Sequence, residues 1–132
     1  MSEGRVTKYR WLNPEGHDPQ EQPLNVPTSA GAYFSLANLN DNFVFIVGGG
    51  ADNRSTISAH GKTQRYNVAE NSWIDLPNLN VSRQGAAACG IGDAVYVFCG
   101  MKANSEGINS VEFLENATAP SVGTWNIIEI ES

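Results

Sequence analysis

Histidine and cysteine, which supply most catalytic and metal-binding groups, are scarce in this chain: its 132 residues include two of each. His17 and His60 lie far apart, and neither shares a short motif with Cys89 or Cys99. A copper or iron site needs several such ligands brought together, and no spacing here supplies them. The sequence also lacks a Gly-x-Ser-x-Gly nucleophile motif. We therefore predict no catalytic residue, no metal and no cofactor, and hence a protein that is not an enzyme.

Positive charge and long apolar runs are also scarce. Eight Lys and Arg residues oppose 14 Asp and Glu, which gives a formal net charge of -6, and the basic residues form no cluster. Because nucleic-acid binding depends on basic residues that neutralise phosphates, we expect no DNA or RNA partner. No segment approaches the ~18 apolar residues of a membrane span, and residues 1–5 lack the apolar core of a signal peptide. We expect no membrane partner and a cytoplasmic location.

The two cysteines do not predict a disulfide. If Gly92 and Asp93 form the turn of a hairpin, Cys89 lies opposite Tyr96 and points to the sheet face opposite that of Cys99. The two thiols are also three positions apart along the strands, about 10 Å at the usual rise per residue, which is beyond disulfide reach. We predict that both are buried free thiols.

The sequence does contain a repeat with a period of about 50 residues, the signature of a repeated structural unit. Each copy has an apolar run that ends in glycine, then an aromatic residue, then a tryptophan. The first copy consists of 43–47, Gly48 and Gly49, Tyr66 and Trp73, and the second of 95–99, Gly100, Phe113 and Trp125. We expect the glycines to adopt backbone angles that a side chain would forbid and the aromatic residues to fill the space between sheets.

Strand patterns separated by turn residues account for nearly the whole chain, and no window shows helical periodicity. The predicted strands are 32–39, 43–47, 63–68 and 73–76 in the first unit and 85–91, 94–99, 108–114 and 125–130 in the second. Four antiparallel strands with short connections form a meander, as in one blade of a propeller. We therefore predict an all-β chain in three parts. Residues 1–27 hold an outer strand (5–12) of a partial preceding blade and a proline-rich loop (13–27), and the two units span 28–77 and 78–132.

These motifs resemble the kelch repeat, which has a glycine doublet after an apolar strand, then a Tyr, then a Trp about seven residues later. The segment from Tyr66 to Trp73 is similar to the second half of that pattern, whereas in the second copy Cys99 replaces the first glycine and Phe113 replaces the tyrosine. The resemblance covers residues 28–131. It implies kelch-like β-propeller blades and a protein-binding role.

The number of units suggests an incomplete propeller. Closed propellers contain about 4 to 8 blades, and this sequence holds about two and a half. We expect a piece of a larger propeller or a truncated gene product. The apolar sheet faces left at the open flanks are expected to cause self-association.

Loops on a rigid scaffold are the usual place for recognition, and in such blades the loops at 13–28, 50–61, 77–84 and 101–107 emerge at one end. We expect a partner protein to bind there, with Glu112 in an internal hydrogen bond in the neighbouring strand. The candidate binding residues are Asn53, Arg54, Arg83, Gln84, Lys102 and Asn104. Arg54, Arg83 and Lys102 are suited to the carboxylates of an acidic segment. Three alternatives remain: the substrate-recognition part of a ubiquitin-ligase adaptor, a copper-dependent enzyme similar to galactose oxidase, and a non-functional truncated paralogue.

Overall fold

A computed structural model describes residues 8–10, 21–23, 31–53, 56–103 and 106–130, and every regular element in them is a β-strand. The strands are β1 (Lys8–Arg10), β2 (Glu21–Pro23), β3 (Ser35–Leu39), β4 (Phe43–Asn53), β5 (Thr56–Asn67), β6 (Ser72–Leu76), β7 (Ala87–Ile91), β8 (Ala94–Phe98), β9 (Ser110–Leu114) and β10 (Asn126–Glu129). No helix in the described part of the chain is long and apolar enough to span a membrane.

The strands form two antiparallel four-stranded meanders. The first sheet has the order β3-β4-β5-β6, and the second has β7-β8-β9-β10 when it is read in the same direction. Each meander has the connectivity of a propeller blade. The predicted all-β fold with blade-like sheets is therefore confirmed. β1 pairs with β2, so part of the predicted loop at 13–27 is in fact a strand.

The hairpin of β4 and β5 is longer than the sequence predicted. Gly49 to Asn53 pair with Thr56 to His60, although we had assigned residues 50–61 to a loop. A register shift between Val47 and Gly49 separates this extension from the rest of the sheet. The extension was missed because its residues are mostly polar and small, so they show no alternation of apolar and polar positions.

The two sheets pack face to face around one core. Phe45 and Val47 from the first sheet join Val95, Val97 and Leu114 from the second in a cluster of almost fully buried side chains. We call the two sheet surfaces that meet here the inner faces and the two opposite surfaces the outer faces.

Two close approaches connect β3 to β7 and to the residue before it. The hydroxyl of Ser35 donates to the carbonyl of Ala86 at 2.6 Å, and a Cβ atom at Gly90 would overlap Asn38 and Leu39. The sheets are therefore in direct contact along the strands at which each meander begins.

The glycines within β4 and after β8 have the backbone conformation expected of them. Gly48 and Gly49 have φ of 66° and 124°, and Gly100 has φ of 91°. A Cβ atom at Gly48 would lie 2.5 Å from the carbonyl oxygen of Arg83, and one at Gly100 would lie 2.8 Å from that of Gln84. These positions favour glycine both for the left-handed backbone and for the close approach of another chain segment.

The strand register corrects one aromatic assignment. Val44 pairs with Tyr66 in the first sheet, and its counterpart Val95 pairs with Leu114 in the second. Leu114, not Phe113, therefore occupies the position of Tyr66. Phe113 is the counterpart of Arg65 and points to the outer face.

The two tryptophans occupy equivalent positions in the two sheets. Tyr66 pairs with Trp73, and their ring centroids are 5.1 Å apart. Trp125 comes directly before Asn126, which pairs with Phe113, so Trp125 lies opposite Leu114 as Trp73 lies opposite Tyr66. The predicted correspondence of the two tryptophans is confirmed.

The cysteines are free, as predicted, and Cys89 pairs with Tyr96 as expected. The prediction that both are buried is wrong, because Cys99 is exposed and Cys89 only half-buried. Cys99 has a φ of 58° at the position that Gly48 holds in the first sheet.

We predict that Cys99→Gly raises the free energy of unfolding by about 1 kcal/mol, since a left-handed conformation costs a residue with a side chain roughly that much. Urea titration measures the change. Cys99→Ala is the control, because it removes the thiol but keeps the Cβ atom that causes the strain. Equal stability of the two variants would show that the backbone at this position carries no such cost.

Candidate functional site

Three chain segments meet at one end of the molecule, which we call the ribbon end. They are the β4–β5 extension (residues 49–53 and 56–60), the connection between the sheets (77–86) and the segment after β8 (99–107, described except for 104 and 105). The amide of Gly49 donates to the carbonyl of Arg83 at 2.9 Å, and Gln84 and Met101 exchange two backbone hydrogen bonds. Backbone contacts therefore fix the three segments to one another.

Arg83 lies at the centre of this end but is not available to a partner. Its side chain is fully buried. Nη1 donates to the carbonyls of Cys99 and Ser110, and Nη2 donates to the Ser110 hydroxyl, all at 2.9 Å. The prediction of an exposed binding arginine is therefore wrong: the guanidinium is a structural group that joins the connection to the second sheet.

Glu112 completes this buried network. Its Oε2 accepts from Arg83 Nη2 at 2.7 Å and from the amide of Val81 at 3.0 Å. Its Oε1 accepts from the amide of Asn80 at 2.6 Å and from the Asn80 side chain at 3.0 Å. The expectation of an internal hydrogen bond for Glu112 is confirmed. Because both carboxylate oxygens are used, this pair has no capacity left for substrate chemistry.

Gln84 is also buried, at 3% exposure, so its assignment as a contact residue is not supported by its position. Its backbone pairs with Met101, while its Oε1 is buried without a hydrogen-bond partner. Like Arg83, Gln84 was predicted to lie in an exposed loop, but its side chain is buried.

Of the remaining candidates, Lys102 and Asn53 lie at the ribbon end. Lys102 is exposed, as expected of a contact residue. Asn53 is the last residue of β4 and pairs with Thr56. Arg54 and Asn104 lie outside the described residues, so their role stays a prediction.

The structure places two large exposed side chains at this end that the sequence did not single out. Tyr33 is 54% exposed and Met101 is 42% exposed. The carbonyl of Tyr33 accepts from the amide of Gly85 at 2.9 Å, and a Cβ atom at Gly85 would lie 3.9 Å from the Met101 methyl group. These residues are distant in sequence, so only the fold brings them together.

A second feature is a cleft of about 310 Å³ between the first sheet and the loop that precedes β10. Its lining includes Phe43, Arg65 and Glu70. Nη1 of Arg65 donates to the carbonyls of Ala117 and Ala119 at 2.6 and 2.8 Å, so it connects the two units. Burial lowers the pKa of Arg65 and Glu70 partly offsets this.

Arg65 also stacks on its neighbour in the cleft, with its guanidinium carbon 5.1 Å from the centroid of the Phe43 ring. These contacts account for its burial as a structural residue. In the described part of the chain, no three His, Cys, Asp or Glu residues are grouped closely enough to hold a metal ion. The expected absence of a metal or cofactor stays a prediction.

Comparison with known proteins identifies a fold but no family. No family model matches the chain, and no curated protein matches it. The solved structure of YjhT is similar, with a TM-score of 0.70 and 13% sequence identity over 95% of this chain. The match covers 46% of the YjhT chain, so this chain spans just under half of its length. At this identity the likeness is one of fold alone.

Proposed function

We propose that this chain is a kelch-type protein-interaction module of the cytoplasm, which acts by binding a partner protein at the ribbon end and not by catalysis. The observation that carries the proposal is the exposure of Tyr33 and Met101, which both lie near Gly85 on a framework of backbone hydrogen bonds. Tyrosine and methionine are enriched where proteins meet. The kelch assignment is supported by the Gly48-Gly49 doublet and the Tyr66–Trp73 pair in the first sheet.

The framework beneath these side chains favours recognition by a preformed surface. Arg83 and Glu112 hold the connection to the second sheet, and the glycines of both units allow the segments to approach closely. A surface fixed in this way loses little conformational entropy on binding. Lys102 adds one exposed positive charge beside Met101, which suits a partner segment with acidic residues at its rim.

The test compares two double variants of the full chain. Tyr33→Ala with Met101→Ala removes the proposed contact residues, whereas Leu36→Ala with Ile74→Ala removes two exposed side chains of similar exposure elsewhere, at 43% and 41%. Quantitative mass spectrometry of proteins retained from a cell extract gives the readout. We expect at least one partner to lose binding by about 30-fold or more in the first variant, as for interface hot spots, and to be retained by the second.

The charge at Lys102 is tested separately. Lys102→Gln and Thr124→Glu each lower the net charge by one, but Thr124 is an exposed residue in the loop before β10, at the other end of the second sheet. We expect Lys102→Gln alone to weaken capture of the same partner, most clearly at low salt. Identical sets of captured proteins from the wild type and the Tyr33 and Met101 variant would overturn the ribbon-end proposal.

A further inference from the structure

The cleft between the first sheet and the loop before β10 lies away from the ribbon end. Phe43, Arg65 and Ile74 line it from the inner face of the first sheet. They share that face because Arg65 pairs with both Phe45 and Ile74, and Phe43 is two positions from Phe45 on β4. Phe43 begins β4, whereas the last residues of the same strand belong to the ribbon end. The cleft is therefore a separate site at the opposite end of the first sheet.

Arg65 uses only one of its three guanidinium nitrogens to bind the rest of the protein. Nη1 donates to the carbonyls of Ala117 and Ala119, and in the described part of the chain Nε and Nη2 donate no hydrogen bond. Neither of these two nitrogens is enclosed, because the enclosed side-chain atoms that lack a partner in that part belong to Trp73 and Gln84. Nε and Nη2 therefore open onto the cleft, although the Arg65 side chain is only 7% exposed.

The free edge of this guanidinium is suited to a carboxylate. Its Nε–H and the adjacent Nη2–H form a planar fork that can donate to both oxygens of one carboxylate. The hydrogen bonds of Nη1 and the Phe43 ring, whose centroid is 5.1 Å from the guanidinium carbon, hold the plane of the fork in one orientation. A donor that is fixed in advance loses little conformational entropy when a ligand binds.

Glu70 brings a negative charge to the same cleft. Burial lowers the pKa of Arg65, and the charge of Glu70 partly offsets that shift, so the two side chains interact. A ligand with a carboxylate alone would be repelled by Glu70 and by the net charge of -6. A ligand that also carries an ammonium group has an opposite charge for each side chain. Phe43, Ile74 and Pro120 in the lining can contact an apolar group of the same ligand.

We infer that this cleft binds a free α-amino acid with an apolar side chain. Its carboxylate lies in the fork of Arg65, its ammonium group faces Glu70, and its side chain contacts Phe43 and Ile74. The cleft volume of about 310 Å³ is at the lower limit of the range of about 300 to 1,000 Å³ for ligand sites, which favours a molecule of this size. The inference does not depend on the binding of a partner protein at the ribbon end.

Isothermal titration calorimetry of the full chain with L-phenylalanine and L-leucine tests the inference. Two analogues carry one charge each: L-phenylalaninamide lacks the carboxylate, and N-acetyl-L-phenylalanine lacks the ammonium group. We expect saturable binding of the amino acids and at least about 10-fold weaker binding of the amide, because it loses charge-assisted hydrogen bonds to a buried group. The acetylated analogue should bind at least about 3-fold more weakly than L-phenylalanine, since it loses an ion pair with an exposed residue.

Three results of this titration would overturn the inference. The first is that neither amino acid binds, and the second is that L-phenylalanine and its amide bind equally well. The third is tighter binding of N-acetyl-L-phenylalanine than of L-phenylalanine, which would indicate the C-terminal carboxylate of a peptide as the occupant instead.

Glu70→Gln tests the ammonium subsite without disturbing the fold. Glu70 is exposed, and its hydrogen bond to Asn67 is made by its backbone amide, which the variant keeps. We expect at least about 3-fold weaker binding of L-phenylalanine and tighter binding of N-acetyl-L-phenylalanine, because the repulsion of its carboxylate is removed. Glu115→Gln is the matched control, since Glu115 is exposed and does not line the cleft, and it should leave both affinities unchanged. An unchanged affinity of Glu70→Gln for L-phenylalanine would overturn the inference.

Discussion

Glu112→Gln should lower the free energy of unfolding by about 3 to 5 kcal/mol, the loss expected when one partner of a buried ion pair is removed. Arg83 and Glu112 are both fully buried, and Nη2 and Oε2 are 2.7 Å apart. The glutamine side chain keeps the size of the original but has one amide NH₂ in place of an acceptor oxygen. That group would face the donors of Arg83, or those of Asn80 and Val81, and it would leave the guanidinium without a counter-ion.

Chemical denaturation measures this loss, with Glu115→Gln as the control. Glu115 is exposed one residue beyond β9, so the same chemical change there should alter stability by no more than about 0.5 kcal/mol. An unfolding midpoint of Glu112→Gln equal to that of the wild type would show that the network contributes nothing to stability.

A double variant separates the contribution of the ion pair to stability from that of the hydrogen bonds between Glu112 and the backbone. Arg83→Met with Glu112→Leu removes both charges, and replacing a buried ion pair with apolar groups is often neutral. Here, however, the amides of Asn80 and Val81 would lose their acceptor. We therefore expect the double variant to be more stable than Glu112→Gln but less stable than the wild type.

The sequence was sufficient to predict those parts of the fold that depend on residues close together in the chain. β4 and β8 are marked by runs of β-branched and aromatic residues, and the turn at Gly92 and Asp93 sets the register of β7 and β8. The glycines within β4 and after β8 mark sharp changes of the backbone. These signals act over a few residues, and they predicted both meanders.

The sequence was insufficient where burial depends on residues distant along the chain. Arg83 lies among polar residues that favour a loop, and its burial is decided by Ser110 and Glu112, which are 27 and 29 positions later. Spacing alone also matched Phe113 with Tyr66, whereas the strand register gives that position to Leu114. Because fewer residues separate Val95 from Leu114 than separate Val44 from Tyr66, the register of β9 could be read only from its pairing with β8.

Prediction of the candidate site from the sequence was limited in the same way, because burial could not be predicted. Of the residues chosen from the sequence, Arg83 and Gln84 are buried and Lys102 is exposed. Polarity indicated a loop correctly but not which side chains reach the surface. Tyr33 and Met101 were missed because each is an apolar or aromatic residue near a strand, where burial is the usual outcome.

The second large effect on stability is expected from substitution of the tryptophans. Trp73 and Trp125 have equivalent positions in the two sheets but different surroundings. Trp125 is 3% exposed and packs in the core between the sheets. Its Nε1 donates to the carbonyl of Pro77 at 2.9 Å. Trp73 is half-buried in a smaller cluster on the outer face of the first sheet, and its Nε1 is buried without a hydrogen-bond partner. The two side chains should therefore contribute unequally to stability.

We predict that Trp125→Ala lowers the free energy of unfolding by about 3 to 5 kcal/mol, the range for aromatic residues removed from cores, and that Trp73→Ala costs less. The phenylalanine variants refine the comparison. Trp125→Phe loses the hydrogen bond to Pro77, worth about 0.5 to 1.5 kcal/mol, whereas Trp73→Phe loses none and also removes an unpaired donor. Urea titrations of all four variants provide the measurement. A larger loss for Trp73→Ala than for Trp125→Ala would show that the main core lies on the outer face of the first sheet and not between the two sheets.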